Sequence, residues 1–188
     1  MSELSFDSLQ ALRARVTRGE MTIESAATAH SLGELRAGLA LTRGRLQALA
    51  ESWTPAQLHI QPPAGEGEDH WSATEALTHV IATQNWYLLH MNRLIGRREH
   101  FDLMVRGLGD QARPDVPKVA LEADLHAATA RLLSFIDALP PDADLSAQRD
   151  STFFGDLSLR GWVLLAIIHD LDHLAQIERL RALPAFGA

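Results

Sequence analysis

The sequence has 188 residues, of which 46% are hydrophobic and 22% charged, as is typical of a globular domain that can bury a full core. Its formal net charge of −7 argues against nucleic acid as a direct ligand, and the absence of cysteine excludes disulfides, thiolate catalysis and zinc fingers. The N-terminal residues lack the pattern of a signal peptide, and the longest apolar run, GWVLLAII, is far shorter than a membrane span. We therefore expect a cytoplasmic protein without a membrane segment.

The first half of the chain carries helical patterns. Leu9, Leu12 and Val16 predict a short helix before Gly19. A long amphipathic helix is predicted from side chains that recur every three or four residues: Leu32, Leu35, Leu39, Thr42, Leu46 and Leu49. The stretch from Trp53 through Pro55 to QPPAGEGED predicts the end of that helix and a loop.

A second long helix is predicted from Ser72 to about Ile95. Ser72 and Glu75 have the spacing of a capping box, Trp71 precedes the cap as a staple residue, and Gly96 provides a stop. Residues 96–115 are expected to form a long irregular connection.

Two further helices complete the pattern. Pro117 suits the first turn of the third helix, whose inner face would be formed by Leu121, Leu125, Ala128, Leu132, Phe135 and Leu139. Ser158 can cap a fourth helix that runs to Leu183, before Pro184. No strand and no internal repeat is expected. The fold class predicted is all-α: a four-helix bundle over residues 30–188, with residues 1–29 as a short N-terminal helical extension.

The fourth helix carries polar groups within an otherwise apolar stretch, LLAIIHDLDHLAQIERLR. His169 and His173 are four residues apart, so they point in the same direction from the helix and can share one ion. Because their face is the one directed to the core, each imidazole needs a partner for its ring nitrogens. A metal ion would satisfy both, whereas two ordinary hydrogen-bonded histidines are the simpler alternative.

Two known enzyme patterns fit these residues poorly. A zincin protease needs glutamate after the first histidine, where this sequence has Asp170, and Glu178 is the sole candidate for its downstream ligand. A His-Asp phosphohydrolase needs a further downstream aspartate that the sequence does not provide. A third ligand should therefore come from upstream.

Seven other histidines are candidates for that ligand. Five are expected to be solvated: His30, His59, His70, His100 and His126. His79 and His90 both lie on the second helix, eleven residues apart, and so share a similar face. Their spacing does not choose between them.

Over about residues 30–183 the sequence resembles the DinB-like (damage-inducible) metalloprotein superfamily. The resemblance is carried by HWSATEALTHVIATQNWYLLHMNRLIG and FFGDLSLRGWVLLAIIHDLDHLAQIERLR, which hold the family's pattern at the following positions: Trp71, Ser72, His79, His169, Asp170, His173, Gln176 and Ile177. In some members another histidine stands beside the last ligand, where this chain has Asp172.

The resemblance implies a four-helix bundle that holds a divalent metal ion, zinc or nickel, through His79, His169 and His173. It also implies a homodimer acting on a small molecule, with a low-molecular-weight thiol as a possible cosubstrate. Three neutral histidines leave an open coordination position, at which a metal can activate water or bind a thiolate. We place thiol-dependent transfer slightly ahead of hydrolysis. The alternatives are a non-catalytic metal-binding stress-response bundle and a metal-free helical protein.

Each residue around the predicted ligands has two alternative roles, and no catalytic residue is identified. Asp170 and Asp172 lie about 100° to either side of the histidines, so salt bridges or solvated carboxylates are favoured over contacts with an imidazole. Capping explains Glu75, although it is also a candidate general base. Gln176 either hydrogen-bonds a ligand of the metal or serves helix packing. Beyond these residues, Trp86 and Trp162 are expected in a pocket lining or in the core.

Overall fold

The computed structural model describes residues 4–63, 67–97, 112–151 and 153–187. Within them the α-helices are α1 (Phe6–Thr17), α2 (Ile23–Thr28), α3 (Leu32–Ser52), α4 (Pro55–Leu58), α5 (Ala73–Leu94), α6 (Lys118–Asp137) and α7 (Leu159–Arg179). Short 3₁₀ turns cover Gly67–His70, Leu180–Ala182 and Pro184–Gly187, and the strands are β1 (Gln148–Asp150) and β2 (Asp156–Ser158).

Four long helices form the bundle that the sequence predicts. Helix α7 packs against both α3 and α5, and α6 packs against the same two helices, so the cyclic order is α3, α7, α5, α6. The central helix α7 is buried on nearly every side, including Trp162 and Ile167. A helix covered all round can present polar side chains to several neighbours at once.

Side chains at the helix starts explain where the helices begin. Ser72 and Glu75 form the predicted capping box: the Ser72 amide donates to Glu75 Oε2 at 2.9 Å, and the Glu75 amide donates to Ser72 Oγ at 3.3 Å. Ser31 and Glu34 form a second box at α3. Helix α5 ends as predicted before Gly96, whose φ of 71° favours glycine.

The N-terminal helices pack on the bundle. Leu9 and Ile23 are buried in the same hydrophobic cluster as the middle of α7. Glu24 of α2 accepts hydrogen bonds at Oε2 from the Ser158 amide at 2.9 Å and the Ser158 hydroxyl at 3.0 Å, at the start of α7. The division into a 1–29 extension and a 30–188 domain stays a prediction.

Two local expectations differ from the structure. The loop predicted after Trp53 contains the short helix α4, because Thr54 and Gln57 form another capping box around Pro55. The expectation of no strands was wrong: β1 and β2 pair antiparallel in a hairpin, with Arg149 opposite Leu157. Each strand has only three residues, too few to show an alternating pattern.

The end of the fourth helix also differs from the expectation, and one expected connection lies largely outside the described residues. The fourth helix was predicted to reach Leu183, but α7 ends at Arg179 and a 3₁₀ turn follows. Most of the connection predicted over residues 96–115 lies outside the described residues, as does His100. No helix among the residues that the structure describes is both long and apolar enough to cross a membrane.

Candidate metal centre

Three histidine rings meet between α5 and α7. His169 Nε2 lies 3.1 Å from His79 Nε2 and 3.1 Å from His173 Nε2. One ring nitrogen from each residue lies within 4.8 Å of the others, which makes these three a group able to hold a metal ion. The structure thus brings together the three residues that the sequence analysis named, although their role as ligands stays a prediction.

The helices explain this meeting. His169 and His173 are one turn apart on α7, so their rings lie on the same side with centroids 4.4 Å apart. His79 lies two turns into α5, the helix that packs against this side of α7. Its ring centroid is 5.1 Å from that of His169 and 5.0 Å from that of His173.

Gln176 determines which nitrogen of His173 carries the proton. Gln176 Nε2 donates to the Glu68 carbonyl, so its Oε1 is the atom that lies 2.7 Å from His173 Nδ1. An amide oxygen only accepts, and His173 Nδ1 must therefore donate. The Nε2 of a neutral His173 is left with a free lone pair facing the other two rings.

Burial favours the neutral form of two of the three imidazoles. Burial, followed by repulsion from His173, lowers the pKa of His79 from 6.5 to about 4. Burial also lowers the pKa of His169 well below its ordinary value, and the neighbouring His173, His79 and Arg43 add to that effect. Neutral imidazoles are the form that binds metal ions, so no proton has to be removed from these two rings near pH 7.

The spacing of the donors fits a transition-metal ion. Metal–imidazole bonds of about 2.0–2.1 Å at tetrahedral angles place two nitrogens about 3.3–3.4 Å apart, close to the 3.1 Å observed. Without a cation, a proton on His169 Nε2 could be donated to only one of its two neighbours. Nδ1 of His79 and Nδ1 of His169 are also buried and lack a hydrogen-bond partner within the described ranges.

Two further side chains border the cluster. The Trp71 ring lies 4.9 Å from the His79 ring and is nearly parallel to the His173 ring at 6.1 Å. Thr83 Oγ1 lies 3.3 Å from His79 Nε2. Thr83, one turn after His79, was not singled out from the sequence; its i+4 spacing from that histidine was the available signal.

His90 lies outside the cluster. It is buried, its ring stacks on Trp162 with centroids 4.3 Å apart, and Trp86 contacts it edge-on at 4.7 Å. The two tryptophans therefore pack around His90, and Trp162 is part of the core. Among the other candidates, the exposed ones are His59, His70 and His126, and His30 is half-buried.

The acidic residues near the histidines serve other contacts. Asp170 Oδ2 accepts from Arg43 Nε at 2.7 Å and from Thr42 Oγ1 at 3.2 Å, in a fully buried pair between α7 and α3. Asp172 Oδ1 accepts from Arg13 Nε of α1 at 2.5 Å. The salt-bridge interpretation is confirmed for both. Glu75 Oε2 is occupied by the helix cap and by Gln61 Nε2 at 3.0 Å.

Comparisons with known proteins agree with this architecture. The model of the DinB superfamily matches residues 39–177. A solved structure from Bacillus subtilis, YfiT, described as a probable metal-dependent hydrolase with an unusual four-helix bundle topology, aligns with a TM-score of 0.58 at 15% identity. The alignment covers 80% of this chain and 86% of YfiT, and at that identity it shows a shared fold. No curated protein sequence gives a match.

Proposed function

The chain belongs to the DinB superfamily, and on that premise we propose that it is a divalent-metal-dependent enzyme acting on a small molecule. The observation that carries the proposal is the convergence of the Nε2 atoms of His79, His169 and His173. Zinc and nickel are the ions proposed, because borderline metals suit imidazole donors.

The composition of the cluster supports catalysis over a purely structural site. Among the described residues, the group able to hold a metal contains three histidines and no carboxylate. Structural zinc sites normally have four protein ligands, whereas catalytic sites keep a position for water or substrate. A bound divalent ion would supply a Lewis acid that activates water or a thiol at that position.

The chain's own residues have distinct tasks in this proposal. His79, His169 and His173 would hold the ion through Nε2. Gln176 Oε1 accepts a hydrogen bond from the N–H at His173 Nδ1. This bond keeps the lone pair of His173 Nε2 directed into the cluster. The hydroxyl of Thr83, beside His79 Nε2, can donate to or accept from a molecule bound at the open position.

We now place hydrolysis first, ahead of the thiol-dependent transfer that the sequence favoured by a small margin. A hydroxyl beside the cluster is suited to orient water, and YfiT, which shares the fold, is described as a probable metal-dependent hydrolase. The absence of cysteine favours thiol-dependent transfer as a second candidate, because no side-chain thiol would compete with an external thiol for the metal. A homodimer, as the family resemblance implies, is also part of the proposal.

Metal analysis of protein purified without a histidine tag tests the ligand set. We expect about one zinc or nickel ion per chain in the wild type, a large loss in His79→Ala, and unchanged content in His126→Ala. His126 is the control because it is exposed on α6, where its Nε2 lies 3.0 Å from Glu51 Oε1. Full metal content in His79→Ala would refute the ligand assignment.

Activity assays separate the reaction classes. Metal-loaded and chelator-treated protein should be compared on a panel of carboxylic esters and on electrophiles supplied with a low-molecular-weight thiol. Metal-dependent turnover of esters would support hydrolysis, and turnover that requires the thiol would support transfer. A protein that binds its metal but turns over neither class would point to the non-catalytic alternative.

A further inference from the structure

A cleft of about 690 Å³ lies on the other side of α7, between α7, α3 and the N-terminal helix α1. Its lining residues on α7 include Leu171, Leu174 and Glu178. At 100° per residue, these point about 100–160° around the helix axis from His173. The cleft is therefore a separate place from the candidate metal centre, and its volume is within the usual range for small-molecule pockets.

The inner wall of the cleft is apolar. Leu49 of α3 and Leu171 and Leu174 of α7 are at most 8% exposed, and the half-buried ring of Phe6 closes the α1 side. Ala48 is exposed on α3 and leaves the entrance open on that side. Such a wall suits a hydrocarbon chain or ring, which gains free energy as it leaves water.

The remaining lining is cationic. Arg13, Arg45, Arg179 and Arg181 line the cleft together with a single acidic residue, Glu178. With Asp172 and Asp69, which pair with Arg13 and Arg179, these side chains sum to +1. The whole chain carries −7, so this local charge opposes the overall charge. At physiological salt, charges beyond about 8 Å are largely screened, so a ligand in the cleft would respond mainly to these guanidinium groups and the carboxylates paired with them.

The ion pairs at this lining leave donors available. Arg13 uses Nε for Asp172 at 2.5 Å, and Arg181 uses Nε for Glu178 at 2.8 Å. Arg179 Nη2 lies 3.6 Å from Asp69 Oδ1. Each guanidinium has five N–H donors, and the two terminal nitrogens match the paired oxygens of a carboxylate or phosphate. Arg45 lies over the Phe6 ring at 4.7 Å, with no carboxylate partner among the residues described.

We propose that this cleft binds an amphipathic organic anion, with its acidic head on the arginines and its apolar part against Phe6 and the leucines of α3 and α7. The cationic part of the lining and the apolar inner wall together favour that class of ligand over a cation or a neutral lipid. The N-terminal helix then has a role of its own, because it supplies one wall of the site through Phe6 and Arg13.

Calorimetric titration with sodium decanoate tests the proposal, with decyltrimethylammonium as the charge-reversed probe and acetate as the probe without a chain. We expect one decanoate per chain, bound at least ten times more tightly than either control. Arg45→Gln should weaken decanoate binding about ten-fold, and Ala48→Trp should abolish it by filling the cleft. Arg131→Gln, on the exposed face of α6, is the matched control and should bind like the wild type.

Four results would overturn the proposal. Equal binding of decanoate and decyltrimethylammonium would show that charge does not select the ligand, and equal binding by all variants would place the ligand elsewhere. Loss of decanoate binding in His79→Ala would mean that the carboxylate binds the metal, so retained binding there separates this site from the proposed enzyme. A dimer that dissociates in Ala48→Trp on sedimentation would identify the cleft as an interface between two copies.

Discussion

The buried pair of Arg43 and Asp170 gives the sharpest prediction about stability. Both side chains have an exposed fraction of 0%, and their Nε and Oδ2 atoms lie 2.7 Å apart between α3 and α7. Arg43 Nη1, Arg43 Nη2 and Asp170 Oδ1 are also buried and have no hydrogen-bond partner within the described part of the chain. The cost of removing both charges from water is therefore only partly offset by their contact.

Replacing one partner should cost far more than replacing both. Asp170→Leu leaves the guanidinium of Arg43 buried without its carboxylate, which should lower the free energy of unfolding by about 3–5 kcal/mol. For a chain of this size that corresponds to a fall in Tm of roughly 6–20 °C. Arg43→Met together with Asp170→Leu removes both charges, and the double variant should recover most of the loss.

Urea denaturation of the metal-free proteins measures these differences. The control is the exposed pair of Arg36 and Asp137, whose Nε and Oδ1 atoms lie 2.6 Å apart. Asp137→Leu should cost less than about 1 kcal/mol, because solvent screens that pair. A loss below about 1 kcal/mol in Asp170→Leu, or a double variant no more stable than the single one, would refute our account of the buried pair.

Three other outcomes are expected. Gln176→Leu should weaken metal binding about 10–100-fold in a competition assay with a chelator, because His173 Nδ1 loses its acceptor; unchanged affinity would contradict its orienting role. The pKa of His79 falls from 6.5 to about 4 on folding, so this residue should contribute a loss of up to roughly 3 kcal/mol of stability to the metal-free protein as the pH drops through that range, and His79→Gln should reduce the loss. A pH dependence in denaturant titrations that is the same for both proteins would count against this. Glu24→Ala removes the acceptor for Ser158 at the start of α7 and should cost about 0.5–2 kcal/mol in thermal unfolding, whereas no change would show that this cap adds nothing.

Local signals made the long helices predictable. The capping box of Ser72 and Glu75 and the glycine stop at Gly96 are encoded within a few residues of each helix end. The hairpin of β1 and β2 was missed because three-residue strands depend on their pairing rather than on a pattern within one strand. Family resemblance, rather than helical spacing, singled out His79 over His90 on α5.

The partners of the polar residues on α7 could not be read from the sequence. Arg43 is 127 residues away from Asp170 and Arg13 is 159 residues away from Asp172, so only the packing of α3 and α1 against α7 brings them together. Gln176 was recognised as a candidate for a hydrogen bond at the metal site. Its bond to His173 Nδ1 depends on the rotamers that both side chains adopt. Local periodicity gives the face of a helix and not the identity of the residue opposite.

These contacts explain why one buried helix holds two imidazoles and two carboxylates within five residues. At 100° per residue, Asp170 and Asp172 lie on opposite sides of the direction shared by His169 and His173. Asp170 is tied to α3 and Asp172 to α1, so a rotation of α7 about its axis in either direction would break one of the ion pairs. The two aspartates thereby fix the angle at which both histidines face His79 on α5. A catalytic or metal-binding group needs its orientation held by such surrounding contacts.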